Sequence, residues 1–115
     1  IADVTASFTN PAFDNSLSLL AYQNGKVVGR IDSTKICSRF DGSTKAYLNW
    51  ICVIKSFRHA GVARALMEAL RQKLKEQGIA PLIGLIAVNE EAQRFYRSLS
   101  NAQIRDEGIW IDTNF

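Results

Sequence analysis

Arg58, Gly61 and Ala63 stand between a predicted strand and a predicted helix, at a spacing that suits an anion-binding turn. The backbone N–H groups at a helix start lack intrahelical partners, and the helix dipole adds positive potential there. Gly61 lets a ligand come close to the backbone, and Arg58 offers a charged fork to phosphate oxygens. This turn therefore has the chemistry to hold a diphosphate.

The same turn also has a purely structural interpretation. A single glycine often permits a tight strand-to-helix connection that binds nothing. The segment is not a Walker loop, because no Gly-Lys-Ser/Thr follows, and it lacks the Gly-x-Gly-x-x-Gly dinucleotide fingerprint. Both interpretations stay open on this segment alone. Lys55 and Arg64 are further basic residues beside it, and His59 is expected to neighbour phosphate or solvent rather than to act as a base.

The first half of the chain has the pattern of β-strands. Residues 16–22 and 26–34 predict two strands, and Asn24-Gly25 between them is the strongest short hairpin signal. Gly29 within the second strand predicts a bulge or a close backbone approach. Residues 45–54, rich in aromatic and branched side chains, predict a third strand. An antiparallel meander is therefore expected.

The second half changes to helical periodicity. Residues 82–88 form a nearly continuous apolar run, which predicts a strand buried on both faces. Asn89 caps a second helix, and residues 102–115 predict a hairpin or strand. Strand–helix–strand order implies a parallel crossover joined to the antiparallel sheet. A long helix ending at Gly78 precedes this strand, and its apolar face consists of Ala63, Leu66, Met67, Leu70 and Leu74.

Arg58-x-x-Gly61-x-Ala63 resembles the acetyl-CoA-binding signature of the GNAT family of N-acetyltransferases, in which Gln or Arg precedes x-x-Gly-x-Gly or Ala. Asn89 follows Arg58 by thirty-one residues, and Tyr96 follows Asn89 by seven. This second segment, Asn-Glu-Glu-Ala-Gln-Arg-Phe-Tyr, looks like another signature of the family. The resemblance covers roughly residues 17–111 and is sharp only from Val53 to Leu99.

The resemblance implies one acetyltransferase domain over residues 1–115 with an α+β fold. Its sheet is mixed and largely antiparallel, with a central splayed pair of parallel strands and flanking helices, as in the acyl-CoA N-acyltransferase fold. The two parallel strands, residues 45–54 and 82–88, start paired and then separate. Because only fifteen residues precede Ser16, the strand and helices that usually open the family are expected to be short or missing.

The resemblance also implies roles for individual residues. The pantetheine arm of acetyl-CoA lies between the separating strands and bonds to the strand edge at Cys52 and Val53. Asn89 contacts pantetheine, and Tyr96 donates a proton to the departing thiolate. Without the resemblance, Tyr96 is a core aromatic and Asn89 a plain helix cap. The pyrophosphate rests on the turn formed by Arg58, His59, Ala60, Gly61, Val62 and Ala63.

The general base for the amine is not evident from the sequence. Asp41, Asp106 and Glu107 lie in predicted loops, and any of them could act through water. Tyr47 and Trp50, on the central strand, are expected to pack the sheet rather than line an acceptor pocket. The acceptor itself is expected to be a small-molecule or peptide amine.

Cys37 and Cys52 are expected to be reduced, buried thiols, with a disulfide between neighbouring strands as the less favoured alternative. An acyl-enzyme route through Cys52 is conceivable, but a structural role is preferred. No metal site is expected, because no CxxC pair or Cys/His cluster is present and His59 is the only histidine.

Composition and charge agree with an ordinary globular protein. The chain has 115 residues, is 47% hydrophobic and carries a net charge of +3, a mild excess that suits a polyanionic ligand. Neither a basic run nor an apolar run of membrane-spanning length occurs, so no nucleic-acid or membrane partner is expected. We expect a cytoplasmic location and a homodimer. The alternatives are a non-catalytic acyl-CoA-binding module and, less favoured, a basic nucleic-acid-binding scaffold.

Overall fold

The structure is a computed structural model that describes residues 3–6, 15–37, 40–86, 89–100 and 102. The chain divides into two compact units, Ile1–Gly84 and Leu85–Phe115. The hairpin or strand predicted over residues 102–115 lies outside the described residues, apart from Ala102. A single domain over residues 1–115 stays a prediction.

The first unit contains a five-stranded sheet in the order β1-β2-β3-β4-β5. The first four strands are antiparallel, and β4 and β5 are parallel, which confirms the predicted mixed sheet. A short 3-10 helix, Lys55–Phe57, follows β4. The elements are β1 (Asp3–Ala6), β2 (Ser16–Gln23), β3 (Lys26–Cys37), β4 (Thr44–Val53), α1 (Val62–Glu76) and β5 (Leu82–Gly84), with α2 (Glu90–Arg97) in the second unit.

Two features of the sheet differ from the sequence prediction. β1 was not predicted, because a four-residue strand carries too little periodicity to be recognised. The expected strand at 82–88, buried on both faces, is wrong for the described residues. β5 has only three residues, and Ile83 is 47% exposed. Strand β5 is exposed because α1 packs against β2, β3 and β4, and the apolar face of the helix therefore covers the middle of the sheet.

Helix α1 covers one face of the central strands. Leu66 and Leu70 of the helix and Leu19 and Ile31 of the strands are completely buried between them. Burying aliphatic side chains in this way stabilises the unit by about 1.5–3 kcal/mol for each. The helix ends as predicted before Gly78, whose φ of 71° suits a residue without a side chain.

Gly29 allows the start of α1 to lie against the sheet. A methyl group there would stand 3.0 Å from Val62 Cγ1 and 3.1 Å from Leu66 Cδ1. The β2–β3 register also shifts here, since Ala21 pairs with Gly29 but Tyr22 pairs with Val27. Both alternatives predicted for Gly29, a bulge and a close backbone approach, are therefore present.

Gly29→Ala is expected to destabilise the protein by about 1–3 kcal/mol, because its new methyl group crowds α1. The penalty is expected to shrink when Val62→Ala removes the nearest methyl, and a double-mutant cycle in urea measures this coupling. Gly25→Ala is the control, since a methyl there meets nothing within 4 Å and its cost should not depend on Val62. Equal coupling of both substitutions to Val62 would contradict the crowding argument.

Candidate active site

Strand β4 contains a β-bulge at the point where it leaves β5. Asp32 pairs with Trp50 and Ser33 with Leu48, which leaves Asn49 as an extra residue in β4. The parallel pairing with β5 ends at Leu48, immediately before this extra residue. A bulge bends its strand and increases the local twist. The bulge therefore accounts for an edge of β4 that continues beyond its pairing with β5.

The backbone beyond the bulge has groups directed to that open edge. Ile54 N donates to Val28 O at 2.9 Å, so Ile54 faces β3. Backbone groups alternate in direction along an antiparallel strand, and Val53 therefore points its N–H and C=O away from β3. By the same alternation, the backbone of Cys52 faces β3. Of the two residues predicted for pantetheine, Val53 is the one that can offer backbone hydrogen bonds at this edge.

The turn that follows leads into an uncapped helix start. Gly61, with a φ of 84°, is the N-cap residue, and no side chain caps the helix. The first intrahelical bond joins Ala65 N to Gly61 O at 3.0 Å, so the N–H groups of Val62 and Ala63 have no acceptor within the helix. A methyl group on Gly61 would meet nothing within 4 Å. The backbone here is open to a ligand.

The electrostatics of this helix start favour an anion. Its first turn has no acidic residue, whereas Lys55, Arg58 and Arg64 lie close to it in the sequence and are exposed. Arg58 Nε donates to Val53 O at 3.1 Å, so one side chain links the open edge of β4 to the helix start. This bond uses Nε and leaves the two Nη groups of Arg58 for phosphate oxygens. The first unit thus brings together Val53 and the whole Arg58–Ala63 turn.

Asn89 and Tyr96 belong to the second unit, where α2 carries both. Asn89 Oδ1 accepts a hydrogen bond from Ala92 N at 2.8 Å, which is N-capping, and its Nδ2 is the remaining donor. Tyr96 lies edge-on to Phe95 with 5.2 Å between ring centroids. Burial raises the pKa of the Tyr96 phenol above its ordinary value of 10.0. A phenol that keeps its proton at neutral pH is suited to act as an acid. The roles of Asn89 and Tyr96 stay predictions.

Several sequence expectations change with the structure. Cys37 and Cys52 are both free and exposed, so the expectation of buried thiols is wrong. Trp50 is 51% exposed and does not pack within the sheet. Asp41 accepts bonds from its neighbour Ser43 N at 2.9 Å and Oγ at 2.7 Å, which is the role of a turn residue. Asp106 and Glu107 lie outside the described residues.

Sequence reasoning missed one buried carboxylate, Asp32. It is 8% exposed and accepts two hydrogen bonds from Arg30 Nε, at 3.0 and 2.8 Å. The spacing of Arg30 and Asp32, two residues apart in a predicted strand, already placed both on one face of the sheet. The bulge at Asn49 had no comparable signal, because no glycine or proline marks it.

The described residues give two further results. Neither described helix is long and apolar enough to cross a membrane. Within the same residues, no three His, Cys, Asp or Glu side chains are grouped so that they could hold a metal ion.

Comparison with known proteins identifies the family. The sequence model of the acetyltransferase (GNAT) family matches residues 3–100. The chain belongs to this family and is therefore an acyltransferase. A search of curated proteins gave no match.

Solved structures show the same fold. An aminoglycoside acetyltransferase from an uncultured soil metagenomic sample has a TM-score of 0.77 and 22% identity, covering 89% of this chain and 67% of that one. The ribosomal-protein-alanine N-acetyltransferase from Brucella melitensis has a TM-score of 0.73 and 22% identity, covering 88% and 71%. AAC(6')-Iy, in complex with a bisubstrate analogue of CoA, has a TM-score of 0.76 and 22% identity, covering 89% and 71%. The predicted acyl-CoA N-acyltransferase fold is confirmed.

The phenol of Tyr96 is expected to ionise above pH 10, because burial disfavours its charged form. The folded state holds this proton more tightly than the unfolded state. The protonated phenol of Tyr96 therefore makes its full contribution to the free energy of unfolding at pH values below the pKa of the unfolded state. This contribution is lost as the pH rises through the pKa of the folded state. The difference in ultraviolet absorbance titration between the parent protein and Tyr96→Phe measures the ionisation. A midpoint at or below 10 would contradict the burial argument.

Proposed function

We propose that this protein transfers an acetyl group from acetyl-CoA to a primary amine, directly, within a ternary complex. The observation that carries the proposal is the connection between Val53 and Arg58. It joins an open strand edge to an uncapped, basic helix start within one unit. These two features match the two chemically distinct parts of acetyl-CoA, an amide-rich arm and a pyrophosphate.

The residues present fit that co-substrate. Val53 N–H can donate to an amide oxygen of the pantetheine arm as a neighbouring strand would, and Val53 O, which accepts from Arg58 Nε, has a second lone pair for an amide N–H of the arm. The N–H groups of Val62 and Ala63, with the Arg58 guanidinium, can hold the pyrophosphate. Asn89 Nδ2 is a donor suited to a pantetheine carbonyl, while its Oδ1 is kept by the helix cap. The thioester supplies the acetyl group.

The chain offers a group for the proton step at the sulfur. A new N–C bond forms as the C–S bond breaks, so the thiolate gains a proton and the amine loses one. Tyr96 is the proposed acid for the thiolate, because its phenol stays protonated at neutral pH. The amine must attack as its neutral form, although a free alkylammonium has a pKa of about 10.4. Backbone N–H groups at the open edge can stabilise the charge that develops on the thioester oxygen.

The proposed acceptor is a small-molecule amine. The soil metagenomic enzyme and AAC(6')-Iy are named as aminoglycoside acetyltransferases, and the Brucella melitensis protein as a ribosomal-protein-alanine N-acetyltransferase. Structures that share 22% identity with this chain support a common fold, and the acceptor has to be identified by experiment. The cytoplasmic location and the homodimer are part of the same proposal, and analytical ultracentrifugation with and without acetyl-CoA tests the dimer.

Tyr96→Phe is expected to lower turnover by about 10²–10⁴-fold, because it removes the proton donor. The Kd for acetyl-CoA is expected to stay unchanged. The measurement is thiol release from acetyl-CoA over a panel of amines, together with calorimetric titration of acetyl-CoA. Tyr47→Phe is the matched control, since it removes a phenol hydroxyl from β4.

Unchanged turnover in Tyr96→Phe would remove this residue from the acid role. Tight acetyl-CoA binding without thiol release for any amine would instead identify a non-catalytic acyl-CoA-binding module. Neither binding nor thiol release would contradict the whole proposal.

A further inference from the structure

The bulge in β4 directs two consecutive side chains to the same face of the sheet. Arg30, Asp32 and Thr34 alternate along β3 and therefore share a face. Thr34 Oγ1 donates to Asn49 Oδ1 at 2.9 Å, which places Asn49 on that face. The Arg30 guanidinium carbon lies 5.9 Å from the centroid of the Trp50 ring, which places Trp50 there as well. We call these five residues the β3–β4 platform.

The platform lies on the face of the sheet opposite α1. Gly29 and Ile31, which alternate with Arg30 along β3, face the helix, because a methyl on Gly29 would meet Val62 and Ile31 is completely buried. The Arg58–Ala63 turn, which we propose holds the pyrophosphate, leads into the start of that helix. Helix α1 covers one side of the sheet, so we place the approach of the amine to the open edge of β4 on the platform side.

The platform residues contact one another and are partly exposed. Both carboxylate oxygens of Asp32 accept from Arg30 Nε, and Asp32 is 8% exposed. Arg30, held in this way, lies over Trp50 in a cation–π contact. Trp50 nevertheless keeps 51% of its surface exposed. The contact with Arg30 favours one position of the ring, which lowers the conformational entropy that Trp50 loses when a ligand stacks on it.

The exposed chemistry of the platform is an indole beside an amide. Thr34 uses the carbonyl oxygen of Asn49, so Asn49 offers its Nδ2 as a hydrogen-bond donor. An indole packs well against the C–H face of a saturated ring, and the amide donor suits a ring hydroxyl. An extended peptide would instead bind to the free backbone groups of a strand edge. The platform offers side chains on a sheet face, so it suits a ring better than a peptide.

We propose that the β3–β4 platform binds the acceptor and that it selects an amine carried on a hydroxylated saturated ring, the amino-sugar class. Trp50 and Asn49 are specificity-determining residues that contact the ring, and Arg30 is a positioning residue that acts through Trp50. This inference rests on the proposed acetyl transfer and adds the identity of the acceptor class.

Trp50→Ala is expected to raise the KM for kanamycin, a hydroxylated-ring amine, by about tenfold or more, since it removes the stacking surface. The KM for acetyl-CoA is expected to stay unchanged. Trp50→Phe should retain most of the affinity for kanamycin. Ile36→Ala is the matched control, because Ile36 lies on the same face of β3, outside the platform, and is 48% exposed. Thermal unfolding of each variant checks that it is folded.

The role of Arg30 has a separate readout. In a Trp110→Phe background, Trp50 is the only tryptophan, and kanamycin is expected to quench its fluorescence. Arg30→Gln should weaken this quenching and raise the kanamycin KM, whereas Arg30→Lys, which keeps the cation, should restore part of both. A merely structural Arg30 would change stability without moving the quenching curve.

An unchanged kanamycin KM in Trp50→Ala overturns the inference. So does a Trp50 dependence shown by the peptide Ala-Ala-Ala and not by kanamycin. If no amine releases thiol, the proposed acetyl transfer fails, and the fluorescence titration then decides the platform by itself. Saturable quenching by kanamycin would support the platform as an amino-sugar site, and its absence would overturn it.

Discussion

The extra residue in β4 at Asn49 is the constraint on which the rest of the site depends. Parallel pairing with β5 stops immediately before it, at Leu48, and β4 continues through Val53. A continuous ladder would have used the backbone groups of Val53 for a neighbouring strand. The bulge therefore leaves the N–H of Val53 for a ligand and its C=O for Arg58, and it also turns Asn49 and Trp50 toward one face.

The second requirement is that a helix start lies close to that open edge. Gly29 permits this, because any side chain there would push Val62 and the first turn of α1 away from the sheet. Arg58 then spans the remaining gap by bonding to Val53 O. A residue in the core of the sheet thus sets the position of the helix start that we propose binds the pyrophosphate. Within this turn Gly61 adopts its φ of 84° without cost to a side chain, whereas His59 has a φ of 64°.

The sequence predicted the parts of the fold that repeat over many residues. The hairpin at Asn24-Gly25, the amphipathic α1 and the Asn89 cap each carry a local signal, and the structure contains all three. The strand at 82–88 was predicted too long, because an apolar run does not reveal which residues a neighbouring helix covers. The buried thiols were predicted wrongly for the same reason.

The site was predictable only where its residues carry a fixed spacing. Arg58, Gly61, Asn89 and Tyr96 could be named from the sequence because the family signature keeps their separation. The platform could not be named from the sequence, because it depends on a bulge that is not marked by a glycine or a proline. Arg30 and Trp50 lie twenty residues apart and meet only through the β3–β4 register, which a one-residue shift would have changed.

The central claim is that acetyl-CoA lies along the open edge of β4 and on the start of α1. Backbone amide chemical shifts, followed by NMR as acetyl-CoA is added to the whole chain, test this claim most directly. We predict saturable shifts for the amides of Val53, Val62 and Ala63, while the last turn of α1, near Lys75, stays unchanged. Shifts confined to other residues, with Val53 and Val62 unaffected at saturation, would contradict the account.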